Sequence, residues 1–228
     1  VFSILSTLTL GLFIGKRLKV ENNTSYLIST GTAVCGGSAI AAISSIIKSN
    51  EKQISTALGT VFILNSVALF LFPYIGHLLH LSQHQFGVWA AISIHDTSSV
   101  VGAANQYGAE ALQIATTIKL ERALWIIPLA IISVFAFKTE SKKIKVPYFI
   151  FLFVLAMMLN TFIPVVHQQD PVIVQLSKIG LKITLYLIGT SLTRHLLASV
   201  GFKPLIQGVL LWAFISVLSL MVILQTVL

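Results

Sequence analysis

An acid, an imidazole and three hydroxyls stand together in Ile94-His95-Asp96-Thr97-Ser98-Ser99, inside a run that is otherwise apolar from 86 to 104. A carboxyl group there can take up and release a proton or hold a cation, while the hydroxyls of Thr97, Ser98 and Ser99 hydrogen-bond an oxyanion. At about 1.5 Å per residue, Asp96 falls about 15 Å below a helix entrance at Phe86, the middle of a hydrocarbon layer roughly 30 Å thick. Ionisable groups at such depth mark ion or substrate pathways. The plainer alternative is a structural network, with Asp96 neutralised by Lys119 or Arg122 and His95 bonded to a backbone carbonyl.

A second constellation, Gly31-Thr32-Ala33-Val34-Cys35-Gly36-Gly37-Ser38, interrupts the apolar run 26–47 with three glycines and two hydroxyls. It reads as two half-helices around an unwound centre. Unwound backbone in lipid persists only where protein or a wet cavity satisfies it, and a half-helix starting after the break offers free N–H groups to an anion. Close packing of helices on small residues is the competing use. Lys119 and Arg122 lie three residues apart on one helix face, about 12 to 17 Å from an entrance at Ala111. With Asp96 and Glu121 they are expected to form a deep group of two cations and two acids, which protonation or a bound cation would make net positive and ready for an anion.

Other reactive side chains point to less. Lys178 and Lys182 lie near one end of their run, where long stems snorkel to the interface. His77, His80 and His84 have a helical spacing but no carboxylate or cysteine beside them, so they read as interfacial and no metal is expected. Cys35 has no neighbour in sequence that would make it a thiolate nucleophile.

The elements that must position these groups are apolar helices. Of 228 residues 56% are hydrophobic and 10% charged, against about 25% charged in a soluble globular chain, and the mean hydropathy is +0.91. Eight runs (1–14, 26–47, 54–79, 86–104, 111–137, 146–166, 172–192 and 204–228) use up most of the chain, giving one transmembrane domain and no room for a soluble one. The formal charge of +8 is spread through short loops without a basic arm, which excludes nucleic acid as a partner and fits the positive-inside rule. Val1 already lies within an apolar run, so further N-terminal spans are expected ahead of it.

Threading the eight runs alternately, with Lys16 to Lys19 in the cytoplasm, puts Lys138 to Lys145 and Arg194 to Lys203 inside and Asp170 outside. Lys48 and Lys52 then fall on the wrong side, unless run 26–47 is a re-entrant hairpin. A shift of sixty residues superimposes Gln53-Ile54 on Gln113-Ile114 and Cys35-Gly36-Gly37-Ser38 on His95-Asp96-Thr97-Ser98 without a gap. Transporters often carry such internal repeats, with the substrate site where their interrupted segments meet.

The stretch 31–42, Ile94-His95-Asp96-Thr97-Ser98 with Val100-Val101, and Ala115-Thr116-Thr117-Ile118-Lys119-Leu120 with Arg122 together resemble the YeiH-like family of bacterial multi-pass membrane proteins, classed as sulfate exporters. The resemblance runs from Val1 to Leu228. It implies about three spans ahead of Val1 and a distant relation to transporters of the sodium/proton antiporter and bile-acid symporter type. Gly37 stands where the family often has alanine, and Ser99 where glutamine is frequent.

The sequence therefore predicts an all-α, multi-pass helical bundle with broken or re-entrant helices, placed in the bacterial inner membrane. Its expected function is secondary transport, the export of a small anion such as sulfate or a sulfonate-like ion coupled to a proton or cation. Gly31, Thr32, Cys35, Gly36, Gly37, Ser38, His95, Asp96, Thr97, Ser98 and Ser99 would line the site, with Lys119 and Arg122 supplying positive potential. No cofactor or ATP drive is expected, since no nucleotide-binding motif is present. Behind this reading stand a cation/proton antiporter using Asp96 and Lys119, then a structural membrane protein, then an intramembrane enzyme.

Overall fold

The computed structural model describes residues 2–137 and 200–226, with scattered positions between 152 and 186. The runs 146–166 and 172–192, the loop around Asp170, the cluster from Lys138 to Lys145, Lys178, Lys182 and Arg194 lie outside the described residues. Every regular element among those described is a helix: α1 (Phe2–Leu18), α2 (Asn22–Ala33), α3 (Gly37–Ile46), α4 (Glu51–Leu78), α5 (Gln83–Ser93), α6 (Thr97–Tyr107), α7 (Ala109–Leu124), α8 (Ile126–Ala136) and α9 (Phe202–Thr226). Of these, α4 and α9 are long and apolar enough to cross a membrane.

The run 26–47 folds back on itself. Beyond α2 the Gly36 N–H returns to the Gly31 carbonyl at 2.8 Å, Gly36 takes a φ of +65° that suits glycine, and α3 then runs antiparallel to α2. A Cβ on Gly31 would lie 2.9 Å from Ile40 Cδ1, which fixes how closely the two arms approach. Helix α4 starts at the base of this hairpin, where Asn23 Nδ2 donates to Gln53 Oε1 at 3.4 Å. It passes the tip at Val61, whose side chain would lie 3.3 Å from a Gly36 Cβ. An Asn50–Gln53 capping box starts α4 by satisfying two free donors.

The same arrangement recurs at the opposite end of the bundle. Helix α5, begun by a Ser82–Gln85 capping box, runs inward antiparallel to α4, and α6 returns beside it. Tyr107 on α6 stacks on Phe86 on α5 at 3.8 Å between centroids and donates its hydroxyl to the Leu81 carbonyl at 2.6 Å. The first arm and the last residue of the second therefore share one end. Helix α7 then follows α5 inward: the Glu110 N–H donates to Gln83 Oε1 at 3.1 Å, and Lys119 reaches the tip. Trp125 interrupts the path, since Pro128 supplies no amide to continue the α7 ladder. Helix α8 completes the crossing and brings Ser133 to the Tyr26 hydroxyl at 2.8 Å, back at the first end.

Two hairpins thus enter from opposite ends, and each is followed by a helical path running from its base past its tip to the far end. The sixty-residue offset seen in sequence carries α3 onto 97–106 and α4 onto 111–138, so the repeat relates units of opposite direction. Each of the runs 26–47 and 86–104 turns back at its break, so that both ends of a run lie at one end of the bundle. Lys48 and Lys52 consequently share an end with Lys16, Arg17 and Lys19.

Helix α1 packs antiparallel to α2 through glycines: a Cβ on Gly11 would strike Ser29, and one on Gly15 would strike Ser25. Helix α9 closes this side. Gln207, fully buried, donates from Nε2 to the Gly11 carbonyl at 3.0 Å and to Ser25 Oγ at 2.9 Å, and a Gly208 Cβ would meet Thr60. Two apolar clusters result, one around α2, α3 and α8 and one around α5, α6 and the far half of α4. The outside is also apolar in places, with Phe70, Tyr74, Phe135 and Phe202 about 70% exposed or more.

Candidate functional site

The two hairpin tips meet backbone to backbone. A Cβ on Gly36 would lie 3.3 Å from both the carbonyl carbon and the oxygen of His95, an approach only glycine permits at this φ. Two helices end and two begin at this one place, bringing carbonyl-rich C-termini and amide-rich N-termini into a water-poor interior.

The C-termini are held by cations. Lys119, fully buried, donates from Nζ to the carbonyls of Ile94 at 2.6 Å, Val34 at 3.2 Å and Ala91 at 3.3 Å, so one ammonium joins the first arms of both hairpins. Arg122 donates from its NH2 nitrogen to the Ala33 carbonyl at 2.6 Å and from NH1 to Ser3 Oγ at 3.1 Å. A positive charge beside free C-terminal carbonyls is favourable both as a hydrogen-bond donor and against the helix dipole.

The N-termini differ from one another. Asp96 caps α6, its Oδ1 accepting the Ser98 N–H at 2.7 Å and the Ser99 N–H at 3.1 Å, its Oδ2 accepting the Ser99 hydroxyl. It forms no contact ion pair with Lys119 or Arg122. Helix α3 has no carboxylate at its start, where Gly36 provides no side-chain cap. Gly37, Ser38, Thr97 and Ser98 are half-buried. Gly31 instead serves the packing of α2 against Ile40.

Several buried polar atoms at the tips have no partner among the described residues: both ring nitrogens of His95, Nδ2 of Asn65, Oγ1 of Thr32 and Nε of Arg122. His95 is fully buried, and its own N–H donates to Asn65 Oδ1 at 3.0 Å. Its ring does not make the bond to a backbone carbonyl foreseen in the structural alternative. An unsatisfied buried polar group costs about 1–3 kcal/mol, so a cluster of them suits a polar guest.

The site residues expected from sequence thus converge on the hairpin tips, with Glu121 the exception. It lies on the exposed side of α7, apart from buried Lys119 and Arg122, because two residues along a helix is about 200° of rotation. The buried group therefore holds two cations and Asp96, a surplus of one positive charge when all are ionised. Asn65 was not foreseen as a site residue; its signal was a lone amide in an apolar helix. Gln207, equally unforeseen, ties α9 to α1 and α2 away from the tips.

A family model described as conserved hypothetical protein 698 matches residues 1–208. A protein named UPF0324 membrane protein from Bacteroides thetaiotaomicron is 56% identical over 222 residues, covering 96% of this chain and 67% of its own length. Its namesake from Porphyromonas gingivalis is 54% identical over 228 residues, covering 98% of this chain and 69% of its own. One from Photobacterium profundum is 54% identical over 227 residues, with 100% and 70% covered. No solved structure matches the chain.

Proposed function

The chain belongs to the conserved hypothetical protein 698 family, the YeiH-like membrane proteins its motifs resemble, and on that premise we propose that it is a secondary transporter of a small anion such as sulfate. The observation that carries this reading is the meeting of two opposed helical hairpins at a buried polar cluster with unpartnered donors and acceptors. Each arm of the second hairpin has 11 residues, about 16 Å, so the tips would sit near the middle of a bilayer roughly 30 Å thick. Broken backbone at that depth is sustainable only around a polar interior.

Three features favour an anion. With all its groups ionised the cluster carries one surplus positive charge, α3 presents an N-terminus without a carboxylate cap, and hydroxyls from Ser38, Thr97 and Ser98 stand at the half-buried starts of the outgoing arms. A cation/proton antiporter would have a net negative site, so this surplus weighs against it. Lys119 acts on the cargo through its field, its three N–H donors being engaged by carbonyls, while Arg122 keeps Nε without a partner beside the cargo. Asp96 is the acid available for coupling to a proton or cation, and change of its charge would alter the cap of α6 as the cargo leaves.

In this proposal the protein is a multi-pass component of the bacterial inner membrane. Lys16, Arg17, Lys19, Lys48, Lys52 and Lys203 gather at one end, while the other end carries His77, His80, His84 and Glu110 and, among the described residues, no lysine or arginine. The positive-inside rule assigns the first end to the cytoplasm. The distant kinship with sodium/proton antiporters and bile-acid symporters that the family resemblance implies is part of this proposal, and the interrupted segments are what supports it.

Radiolabelled sulfate flux in proteoliposomes containing the full-length protein, with and without an imposed pH gradient, tests the reading. Gradient-dependent flux is expected, falling to background in Asp96→Asn, a substitution that keeps a good helix cap while removing the charge. Folded protein without sulfate flux would remove sulfate as cargo, and flux indifferent to Asp96→Asn would remove Asp96 from coupling.

A further inference from the structure

At the lysine-rich end, remote from the hairpin tips, a cavity of about 360 Å³ opens between the α1–α2 turn with the start of α2, α4 and the start of α9. Its wall carries Lys19 from the turn, Lys52 from α4 and Lys203 from α9, with Glu21 as the one acid. Glu21 is already engaged, its Oε1 accepting from Gln53 Nε2. Lys19 takes a φ of +55°, unusual for lysine, in a turn closed by the Val20 N–H to the Gly15 carbonyl at 2.9 Å. This turn ends α1 and places Lys19 beside the others.

Below Lys203 the outer face of α9 is apolar. Leu210, Phe214, Val217 and Met221 follow it at i+7, i+11, i+14 and i+18, all within a narrow arc of the helix. They line a shallow groove of about 480 Å³. From Lys203 to Met221 is about 27 Å along the axis. A cluster with two surplus positive charges, directly above an apolar strip of that length, matches a molecule with a phosphate head and an acyl tail.

We infer that this cavity and strip form a binding site for an anionic phospholipid, its phosphate held by Lys19, Lys52 and Lys203 and an acyl chain lying along α9. Basic pockets between helices at the cytoplasmic surface commonly receive such headgroups. The inference is independent of the cargo carried at the hairpin tips, since it uses none of those residues. It gives the lysines a use beyond orienting the chain, and it ties the α1–α2 turn, α4 and α9 together at the base of the first hairpin.

The test is the thermal unfolding midpoint of the full-length protein in mild detergent, titrated separately with cardiolipin, phosphatidylcholine and inorganic phosphate. Cardiolipin is expected to raise the midpoint saturably, while the other two at equal concentration leave it in place. Lys19→Gln, Lys52→Gln and Lys203→Gln, all at exposed positions, are each expected to weaken the apparent affinity about fivefold, and the arginine replacements to preserve it. Equal stabilisation by phosphatidylcholine, or undiminished affinity in the triple glutamine variant, would overturn the site. Stabilisation by inorganic phosphate alone would make it a free-anion site and overturn the lipid.

Discussion

Lys119 is held by carbonyls instead of a carboxylate, and this decides what its loss does. Lys119→Met leaves the carbonyls of Val34, Ala91 and Ile94 buried without their donor, at about 1–3 kcal/mol for each orphaned group. A fall in Tm of roughly 6–12 °C is expected from about 3 kcal/mol in a domain of this size, together with loss of flux. A variant with unchanged Tm and weakened anion binding would instead make Lys119 a direct ligand. Asp96 separates the same two roles. Asp96→Ala is expected to lose the cap of α6, about 1 kcal/mol, and flux with it, whereas Asp96→Asn loses flux with little change in Tm. The residues themselves were legible because each is an expensive type at a deep position in an apolar run. Their partners were not, since carbonyls leave no mark in a sequence. Glu121 was separable from Lys119 by helical rotation alone, and grouping the two by proximity in sequence placed it wrongly.

The first helix break was legible from its glycines, whereas 95–99 read as a polar stretch within one run, and only the sixty-residue offset that lays it on 35–38 pointed to a second break. The sense of the breaks was not legible. A chain that continues through a break and one that returns have the same length, hydropathy and periodicity, so runs 26–47 and 86–104 fit either a crossing or a hairpin. What separates them is contact across the arms, such as Phe86 with Tyr107, which pairs residues twenty-one apart. The one trace in sequence was electrostatic, the lysines at 48 and 52 that an alternating path puts on the wrong side. Gly36 provides a test of the tips. Gly36→Ala places a methyl group 3.3 Å from the His95 backbone at a φ of +65°, a conformation costing roughly 1–2 kcal/mol for a residue with a Cβ before any clash. Because the contact joins both hairpins, Tm is expected to fall by several degrees and flux to fall further than Tm accounts for. Gly37→Ala, whose Cβ would meet Phe62 and Leu58 at ordinary distances of 3.4–3.5 Å, is expected to be tolerated. Equal effects at the two positions would remove the tip contact as the cause.

Among the described residues, α2 to α4 and α5 to α8 form two units of opposite direction, and that arrangement is measurable without a ligand. If both hairpins return, Lys16 and Lys48 face the same compartment although the whole run 26–47 separates them, and His84 and Glu110 face the other although run 86–104 separates those. If both runs cross, each pair is split. Single cysteines replacing these four exposed residues, in full-length protein with its native cysteines changed to serine, give a direct reading with a membrane-impermeant maleimide. Positions 16 and 48 are expected to react only in inside-out vesicles, 84 and 110 only in right-side-out ones. Splitting of the first pair would restore a crossing in the first unit, and splitting of the second would do so in the second unit. The paired result would explain why the lysines gather as they do. A returning hairpin keeps both of its bases in one compartment, so Lys16, Lys19, Lys48 and Lys52 bias a single surface and do not oppose one another across the membrane. Under the proposed transport function, two opposed units meeting at one polar point would let the site face either surface by exchange of their conformations, with the tips held near the midplane.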